Sequence, residues 1–543
     1  MSRRRSHKRK FRDLLKDGLE TPRNRAKGSP EQNLVLSVRQ PRQQPVKLLC
    51  EGAQASFRLG SKLEVRGDWD AAALSYRHAL AIAPDCADIL ASLGRLQCKQ
   101  GAFREAVDSC RRALALAPHR HEIHNLLGHA LINVDEYAAA VESYRRALVL
   151  KPDSAGAVYG LGYLFERQGD LASAAESYRL VIKLDARIVE AHLHLGITHF
   201  LQGAPEPAIE CFQRVRRLAP DNAEARTFLG HIDLLQGNFA RGWAEHEWRW
   251  STPHFLRHPR KFAQPLWKGE AVDRARILLH AEQGLGDTLQ FVRYAPLVAA
   301  RGGDVILEVQ PRLHRLLART PGTGRVLCRG ESLPEFDWQC PLMSLPLAFA
   351  TDLHSIPASV PYVEPDASLV ETWRQRLAGE SFRIGLAWGG SPAFPHERWR
   401  SVPLEMLAPL TQIAGTRFYS LQIGPQTGEL KRLGSPARII DLQDQQEDMA
   451  DTAAIVANLQ LVISIDTSIA HLAGAMGKPV WILLHKSPDW RWMLDREDSP
   501  WYPTARLFRQ TTLGDWRGVV ARVEKELRGL LAGAAEEPPC RPP

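Results

Sequence analysis

Two short loops hold the residues best suited to chemistry, and each follows an apolar run that is predicted to be a strand. The first loop is Glu282-Gln283-Gly284-Leu285-Gly286-Asp287-Thr288. Its two glycines permit a close approach of the backbone to a ligand. Asp287 stands at the start of the predicted helix, where a carboxylate is either a helix cap or a placed general base. The spacing is not the full G-x-G-x-x-G of dinucleotide binding.

The second loop is Ser464-Ile465-Asp466-Thr467-Ser468-Ile469-Ala470-His471, in which a buried strand ends and a helix begins at once. Backbone N–H groups and hydroxyls at a helix N-terminus form an anion site, which suits a diphosphate. His471, one turn into the helix, either reaches the same anion or packs within the fold.

A third segment, Trp388-Gly389-Gly390-Ser391-Pro392 followed by residues 396–401, carries Arg398 and Arg400 past a predicted strand end. Guanidinium groups in such a place neutralise phosphate through paired hydrogen bonds. A solvated surface loop is the alternative interpretation.

Strands and helices must alternate around these loops to position them. Predicted strands lie at residues 276–280, 305–309, 383–388, 417–421, 461–465 and 480–484, and predicted helices at 287–300, 311–319, 449–459 and 468–476. This alternation is typical of parallel βα units. We predict two Rossmann-like lobes, residues 275–365 and 366–532, which face each other across a cleft and bind ligands at the carboxyl ends of their strands.

The region before the lobes has a period of 34 residues. Glycines recur at this spacing (Gly60, Gly94, Gly128, Gly162, Gly196 and Gly230), and so do prolines (Pro84, Pro118, Pro152 and Pro220). Large residues such as Tyr76 and Tyr144 follow in phase. The pattern is typical of tetratricopeptide repeats, an α-solenoid that presents a surface to peptides or partner proteins. We predict the array, with a capping helix, at residues 48–253; the alternative function is that of a rigid spacer or an oligomerisation element.

The net charge of +9 over 543 residues is concentrated in a tail. Residues 1–47 hold fourteen Lys and Arg against four Asp and Glu, so the remainder is close to neutral. We expect residues 1–47 and 533–543 to be disordered and residues 254–274 to be a connector. Because the basicity is confined to the tail, nucleic-acid binding is not expected as the main function. The sequence shows no transmembrane run and no Cys-x-x-Cys pair, which predicts a cytoplasmic protein without a structural zinc site.

The loops together resemble those of the heptosyltransferase-like (glycosyltransferase family 9-like) enzymes, and still more closely those of bacterial proteins that join tetratricopeptide repeats to such a domain. The strongest motifs are residues 283–287, residues 464–472 and Pro488-Asp489-Trp490-Arg491-Trp492. The resemblance implies a GT-B-type fold with Asp287 as general base and Arg400 at the phosphates. It also implies that Asp466, Thr467, Ser468 and Ile469 hold the donor diphosphate.

The implied reaction is metal-independent transfer of a sugar, with inversion, from a nucleotide-sugar that is substrate rather than cofactor. Gly284, Gly286, Thr288, Arg398 and His471 complete the predicted substrate-binding set. The chain departs from the family at Glu282, Gln283 and Ser468, positions expected on the ligand side of the cleft. The repeats point to a protein or peptide acceptor by analogy with O-linked N-acetylglucosamine transferases. The alternative is a catalytically silent scaffold for protein–protein interaction.

Overall fold

The computed structural model describes residues 51–257, 260–391, 397–433 and 438–536, which form two compact units divided between His199 and Phe200. The predicted tail at 1–47 lies outside the described residues. The other predicted tail, from residue 533, lies outside them only in part, because the last helix continues to Glu536.

The first unit is a row of helices of similar length. They are α1 (Glu51–Arg66), α2 (Trp69–Ile82), α3 (Ala87–Gln100), α4 (Phe103–Leu116), α5 (His121–Asn133), α6 (Tyr137–Leu150), α7 (Ala155–Gln168), α8 (Leu171–Leu184) and the greater part of α9 (Val189–Leu201). From α1 to α8 each odd-numbered helix pairs with the next, which confirms the prediction of one helix pair per 34 residues over these helices.

Glycine allows the two helices of a repeat to meet. A Cβ added at Gly60 or Gly128 would lie 2.7 Å from the ring of Tyr76 or Tyr144, respectively. Real Cβ atoms do not approach other atoms that closely, so the large residue occupies the space that the missing side chain leaves. The predicted close approach is therefore present.

A second series of residues with the 34-residue period lies in the turns between the two helices of each repeat. Gly67, Gly101 and Gly169 follow the first helix of their repeats with φ values between +78° and +85°. Asp135 occupies the equivalent place with φ +62°. The chain reverses there through a left-handed residue, which glycine adopts without a Cβ penalty.

The second unit begins with the remaining helices of the array. They are α10 (Pro205–Leu218), α11 (Ala223–Leu235), α12 (Phe239–His246), a 3-10 segment at Glu247–Ser251 and the short α13 (Pro253–Leu256). The predicted capping helix is thus α12 together with the 3-10 segment. We call residues 223–251 the terminal repeat.

The N-terminal lobe contains a parallel sheet of four strands in the order β3-β2-β1-β4. Its elements are β1 (Arg276–His280), α14 (Leu285–Phe291), α15 (Ala295–Ala300), β2 (Asp304–Val309), α16 (Pro311–Leu317), β3 (Arg325–Cys328), β4 (Trp338–Pro341) and α17 (Leu345–Ala348). The single helix predicted at 287–300 is wrong in detail, because a 3-10 turn at Val292–Tyr294 separates α14 from α15. Pro296 in the first turn of α15 lacks the N–H that would continue the helix.

The C-terminal lobe contains six parallel strands in the order β10-β9-β8-β5-β6-β7. Its strands are β5 (Phe382–Ala387), β6 (Thr416–Ser420), β7 (Ile439–Asp441), β8 (Leu461–Ile465), β9 (Val480–Leu484) and β10 (Ala505–Arg509). Its helices are α18 (Ala367–Arg376), α19 (Glu397–Arg400), α20 (Ala408–Thr411), α21 (Gly428–Leu433), α22 (Met449–Ala457), α23 (Ser468–Ala475) and α24 (Trp516–Glu536). The prediction of parallel α/β structure is confirmed.

The strand order places a switch point in each sheet. β1 lies between β2 and β4, and β5 lies between β6 and β8, so the chain winds outward in opposite directions from each centre. A crevice opens at the carboxyl ends of strands at such a point. The segment after Trp388 leaves β5 there, so it is a loop of the C-terminal lobe and not a connection between the two lobes.

Candidate functional site

The predicted loops emerge at these switch points. The loop 282–287 follows β1, the loop 388–391 follows β5, and the loop 466–468 follows β8, the neighbour of β5. Helices α14 and α23, which begin at the first and third of these loops, pack against each other. The two lobes therefore meet where their loops carry polar side chains.

Asp287 lies at the contact between the lobes. Its Oδ2 atom accepts a hydrogen bond of 2.8 Å from the Gly284 N–H, so the carboxylate caps α14. Its Oδ1 atom accepts a hydrogen bond from the guanidinium of Arg491 in the C-terminal lobe. Burial raises the pKa of Asp287, although Arg491 opposes the shift. Both oxygens have a partner, and the role of general base remains a prediction.

Arg491 joins several acceptors at once. Its guanidinium binds Asp489 at 2.8 Å, Asp287 and the side-chain oxygen of Gln290, and it lies over the ring of Trp490. The side chain is 6% exposed. A guanidinium presents five donors in a fixed planar geometry, which suits acceptors that surround it on several sides.

The pKa values of two further carboxylates are shifted in opposite directions. Burial and the charge of Asp489 raise the pKa of Asp466 to about 6, although Arg400 and Arg491 act against the shift. Burial also raises the pKa of Asp489, but Arg491 and His231 outweigh it and leave the value at about 2. Asp466 can therefore gain a proton in mildly acidic solution while Asp489 stays charged.

His471 is packed and neutral. Its Nδ1 atom lies 2.8 Å from the Tyr502 hydroxyl, its ring stacks on Trp492, and a Cβ added at Gly286 would lie 2.7 Å from its Cδ2 atom. Burial, followed by the charge of Arg491, lowers the pKa of His471 well below its usual value. These contacts match the packing alternative. They also show that Gly286 accommodates the imidazole, where the sequence suggested space for a ligand.

Thr467 caps the helix that follows β8. Its hydroxyl accepts from the Ile469 N–H at 3.3 Å and lies 3.1 Å from the Ser464 hydroxyl. Ile469 is buried, whereas Thr467 and Ser468 are half-buried. The N-terminus of α23 thus faces the crevice with a positive helix end, as an anion site requires.

Arg400 and Arg398 belong to the short helix α19. Arg400 pairs with Glu397 at 3.0 Å, and Glu397 also accepts from the Gly390 N–H at 2.6 Å. A Cβ at Gly390 would collide with both side chains, so the glycine makes room for the pair. The side chain of Arg400 is 18% exposed, and its positive charge acts to lower the pKa of Asp466. Arg398 is exposed.

Two residues of the first loop face away from the crevice. Thr288 is buried and donates to the side-chain oxygen of Gln310 at 2.9 Å. Glu282 is also buried and pairs with Arg249 through contacts of 2.9 to 3.1 Å. The expectation that Glu282 lies on the ligand side was wrong, because a buried carboxylate here must satisfy a buried guanidinium.

A cavity of about 370 Å³ lies beside these loops. Its lining comes from residues that follow β2, β6 and β7, namely Arg312, Gln422, Ile423, Gly424, Gln443, Asp444, Gln446 and Glu447. Gln422 also accepts from the Trp388 and Gly389 N–H groups, at 3.0 and 2.8 Å. Its amide thus ties the loop after β5 to the cavity wall.

Sequence reasoning assigned no role to several residues at the centre of this site. Arg491 and Asp489 stand within a motif that was noted only for its resemblance, and Gln290 and Tyr502 carried no signal. The sequence signal at these positions is an acidic and a basic residue that alternate with two tryptophans, Asp489-Trp490-Arg491-Trp492. A buried guanidinium with several acceptors, such as Arg491, depends on contacts between segments that are distant in the chain.

Models of the tetratricopeptide repeat family match residues 66–130, 125–187 and 190–222. These helices are tetratricopeptide repeats. The prediction of tetratricopeptide repeats is therefore confirmed over residues 66–187 and 190–222, and such repeats are typical of scaffolds for protein–protein interaction.

A curated relative, Protein FlbA of Caulobacter vibrioides (strain ATCC 19089 / CIP 103742 / CB 15), is 29% identical over 322 residues. The match is 54% of this chain and 53% of FlbA, so the chain spans about half the length of that relative.

Similar solved structures include the MamA protein (25% identity, TM-score 0.27, 32% of this chain and 95% of MamA). They also include a thermophilic TPR protein of Thermus thermophilus, with 21% identity and a TM-score of 0.30. That match covers 32% of this chain and 96% of the other. A tetratricopeptide repeat protein of Parabacteroides merdae ATCC 43184 covers 39% of this chain and 82% of its own, with 20% identity and a TM-score of 0.34. Each covers less than half of this chain.

Two features are absent from the described residues. None of their helices is both long and apolar enough to cross a bilayer. None of their His, Cys, Asp and Glu side chains gather in a group of three or more that could hold a metal ion.

Proposed function

We propose that the α/β region is a GT-B-type glycosyltransferase that moves a sugar from a nucleotide-sugar donor to a protein or peptide acceptor recruited by the repeats. The observation that carries the proposal is the meeting of three polar loops at the switch points of two parallel sheets. In open α/β sheets this is where ligands bind, and a donor and an acceptor require two facing lobes.

The charges suit a diphosphate leaving group. The N-terminus of α23 and the guanidinium of Arg400 place positive charge beside Asp466. Fixed N–H groups and guanidinium ions stabilise a departing diphosphate without reorganising. The cavity of about 370 Å³ offers amide donors and acceptors for the remainder of a nucleotide.

The proposed reaction is a direct displacement. The acceptor hydroxyl gives its proton to Asp287 as its oxygen forms a bond to the anomeric carbon. The bond from that carbon to the donor phosphate breaks, and its electron pair leaves with the nucleoside diphosphate. A raised pKa makes Asp287 a better base than an ordinary carboxylate.

A catalytically silent scaffold is the second candidate. The observation in its favour is that both oxygens of Asp287 and the guanidinium of Arg400 already have protein partners. Such pairs stabilise a fold without any reaction.

Calorimetric titration with ADP, GDP and UDP tests the donor site. We expect one nucleotide to bind saturably and Thr467→Trp to weaken it at least tenfold, because an indole at the start of α23 would block the helix N-terminus. Thr372→Trp, on the exposed face of α18, is the matched control and should bind like the wild type. Absence of binding by all three nucleotides would overturn the transferase proposal. Binding without donor hydrolysis or transfer would favour the scaffold.

A further inference from the structure

The terminal repeat contacts the loop that precedes Asp287. Arg249, in its 3-10 segment, is 2% exposed and binds both oxygens of Glu282. Glu282 also accepts from the Met343 N–H at 2.9 Å and stands two residues before Gly284, whose N–H binds Asp287. A change at Arg249 therefore reaches the Asp287 carboxylate through a short path that starts at a buried ion pair and runs along the backbone of the loop.

The same repeat contacts the segment that carries Arg491. The ring of Trp243 meets Trp490 edge-on, with centroids 5.0 Å apart, and His246 lies 6.4 Å from the same ring. Trp490 is 2% exposed and directly precedes Arg491 in the chain. The turn after α11 also touches this segment, since a Cβ at Gly237 would lie 3.3 Å from the Met493 methyl group.

The terminal repeat thus contacts neighbours of both members of one ion pair. Asp287 belongs to the N-terminal lobe and Arg491 to the C-terminal lobe, and the terminal repeat packs beneath both of their loops. Packed interiors transmit a shift instead of absorbing it. A purely sealing role would need apolar contacts alone, whereas Arg249 is a desolvated charge that requires its carboxylate partners.

We propose that the terminal repeat is a positioning element of the transferase site, in which Arg249 and Trp243 set the placement of Asp287 against Arg491. The inference rests on the proposed function and deepens it. A polypeptide bound to the terminal repeat would then contact the same element that supports the general base. Arg249 and Trp243 touch no reacting atom, and they act through Glu282 and Trp490.

The test compares three variants of the full chain. Arg249→Met leaves Glu282 without its cation, and Arg249→Met combined with Glu282→Met removes the pair while keeping side-chain volume. Arg260→Met is the control for loss of a buried ion pair as such, since Arg260 pairs with the buried Glu308 on β2, the strand beside β1. For each variant, nucleotide affinity, donor-hydrolysis kcat and its pH profile are measured.

We expect both Arg249 variants to keep the nucleotide dissociation constant within twofold, to lose about tenfold in kcat and to shift the acidic limb of the pH profile. Arg260→Met should keep the wild-type kcat and profile. Equal loss in Arg260→Met, or an unchanged kcat in both Arg249 variants, would overturn the positioning role.

A crystal structure of Arg249→Met separates this inference from the proposed function. We expect the hydrogen bond between Asp287 and Arg491 to be lost, whether or not the protein binds a nucleotide. A retained bond would contradict the inference even if transfer is observed, and absence of nucleotide binding with a lost bond would contradict only the transferase.

Discussion

Asp287 and Arg491 stand 204 residues apart in the chain, yet the carboxylate of one accepts a hydrogen bond from the guanidinium of the other. The contact joins the first loop of the N-terminal lobe to the Trp490–Trp492 turn of the C-terminal lobe. It is a direct polar link between the base that we propose and the lobe that would bind the donor.

Replacing Arg491 should destabilise the second unit strongly. In Arg491→Met the carboxylates of Asp287 and Asp489 lose their buried cation, and breaking a buried ion pair costs about 3 kcal/mol. Urea unfolding followed by tryptophan fluorescence measures the loss. Arg374→Met removes an exposed pair with Glu371 and should leave the free energy of unfolding close to that of the wild type, because solvent screens such a pair. Equal effects would contradict the hub that we assign to Arg491.

The two glycines of the first loop should respond differently to alanine. In Gly286→Ala the new methyl group meets His471 at 2.7 Å, which forces α14 and α23 apart and costs about 1–3 kcal/mol. In Gly284→Ala the nearest atom is Asp287 Oδ2 at 3.4 Å, and φ of −73° suits alanine. Thermal unfolding of both variants checks this. If Gly284→Ala alone lost nucleotide affinity, the original interpretation of a close ligand approach would be favoured for that residue.

Stability should depend on the protonation of Asp466. Its pKa is about 3.9 in an unfolded chain and about 6 in the fold, so the folded state binds the extra proton between those values. The free energy of unfolding therefore falls as pH rises from 4 to 6, by roughly 2 kcal/mol from this group.

The variant Asp466→Asn isolates that contribution. Relative to the wild type, it should gain stability on passing from pH 4 to pH 7, as urea midpoints at each pH would show. Asp352→Asn provides the opposite sign at lower pH, because hydrogen bonds from Ser355 lower the pKa of Asp352, so the wild type should lose stability relative to this variant as pH falls below about 4. A pH-independent difference for Asp466→Asn would contradict the raised pKa.

The turns of the repeats should require glycine for conformation alone. Gly101 has φ +78° and nothing within 4 Å of an added Cβ, so Gly101→Ala should cost about 1 kcal/mol through backbone strain. Gly529→Ala, within α24 and equally unobstructed, should add up to about 1 kcal/mol because alanine favours the helix. Calorimetric melting of both variants tests the contrast. A neutral Gly101→Ala would show that the turn tolerates a β-carbon.

Much of the fold was accessible from local pattern. The strand predicted at 480–484 is β9 within its exact bounds, and the strand predicted at 461–465 is β8. β3, β4 and β7 went unpredicted because strands of three or four residues give little periodic signal, and β10 went unpredicted because Arg506 interrupts its apolar residues. Such strands depend on pairing with a neighbour.

The candidate site was accessible in part. Asp287 and Asp466 were found because each lies where a loop that follows a strand leads into a helix, and that arrangement is visible in residues close together in the sequence. Their surroundings were not. Arg491 lies in the 3-10 turn Trp490–Trp492, where nothing in the neighbouring sequence shows that its guanidinium reaches another lobe.

The sequence by itself determined the elements whose causes are local. A glycine every 34 residues leaves room for a large side chain sixteen residues later, and strand-end loops open helices, because these contacts involve residues close in the chain. Only the tertiary structure decided that Glu282 pairs with Arg249, that Gly286 makes room for His471 and that Asp287 accepts a hydrogen bond from Arg491. Buried charges and close approaches are satisfied by whichever group packing brings near, and packing joins segments that sequence spacing does not relate.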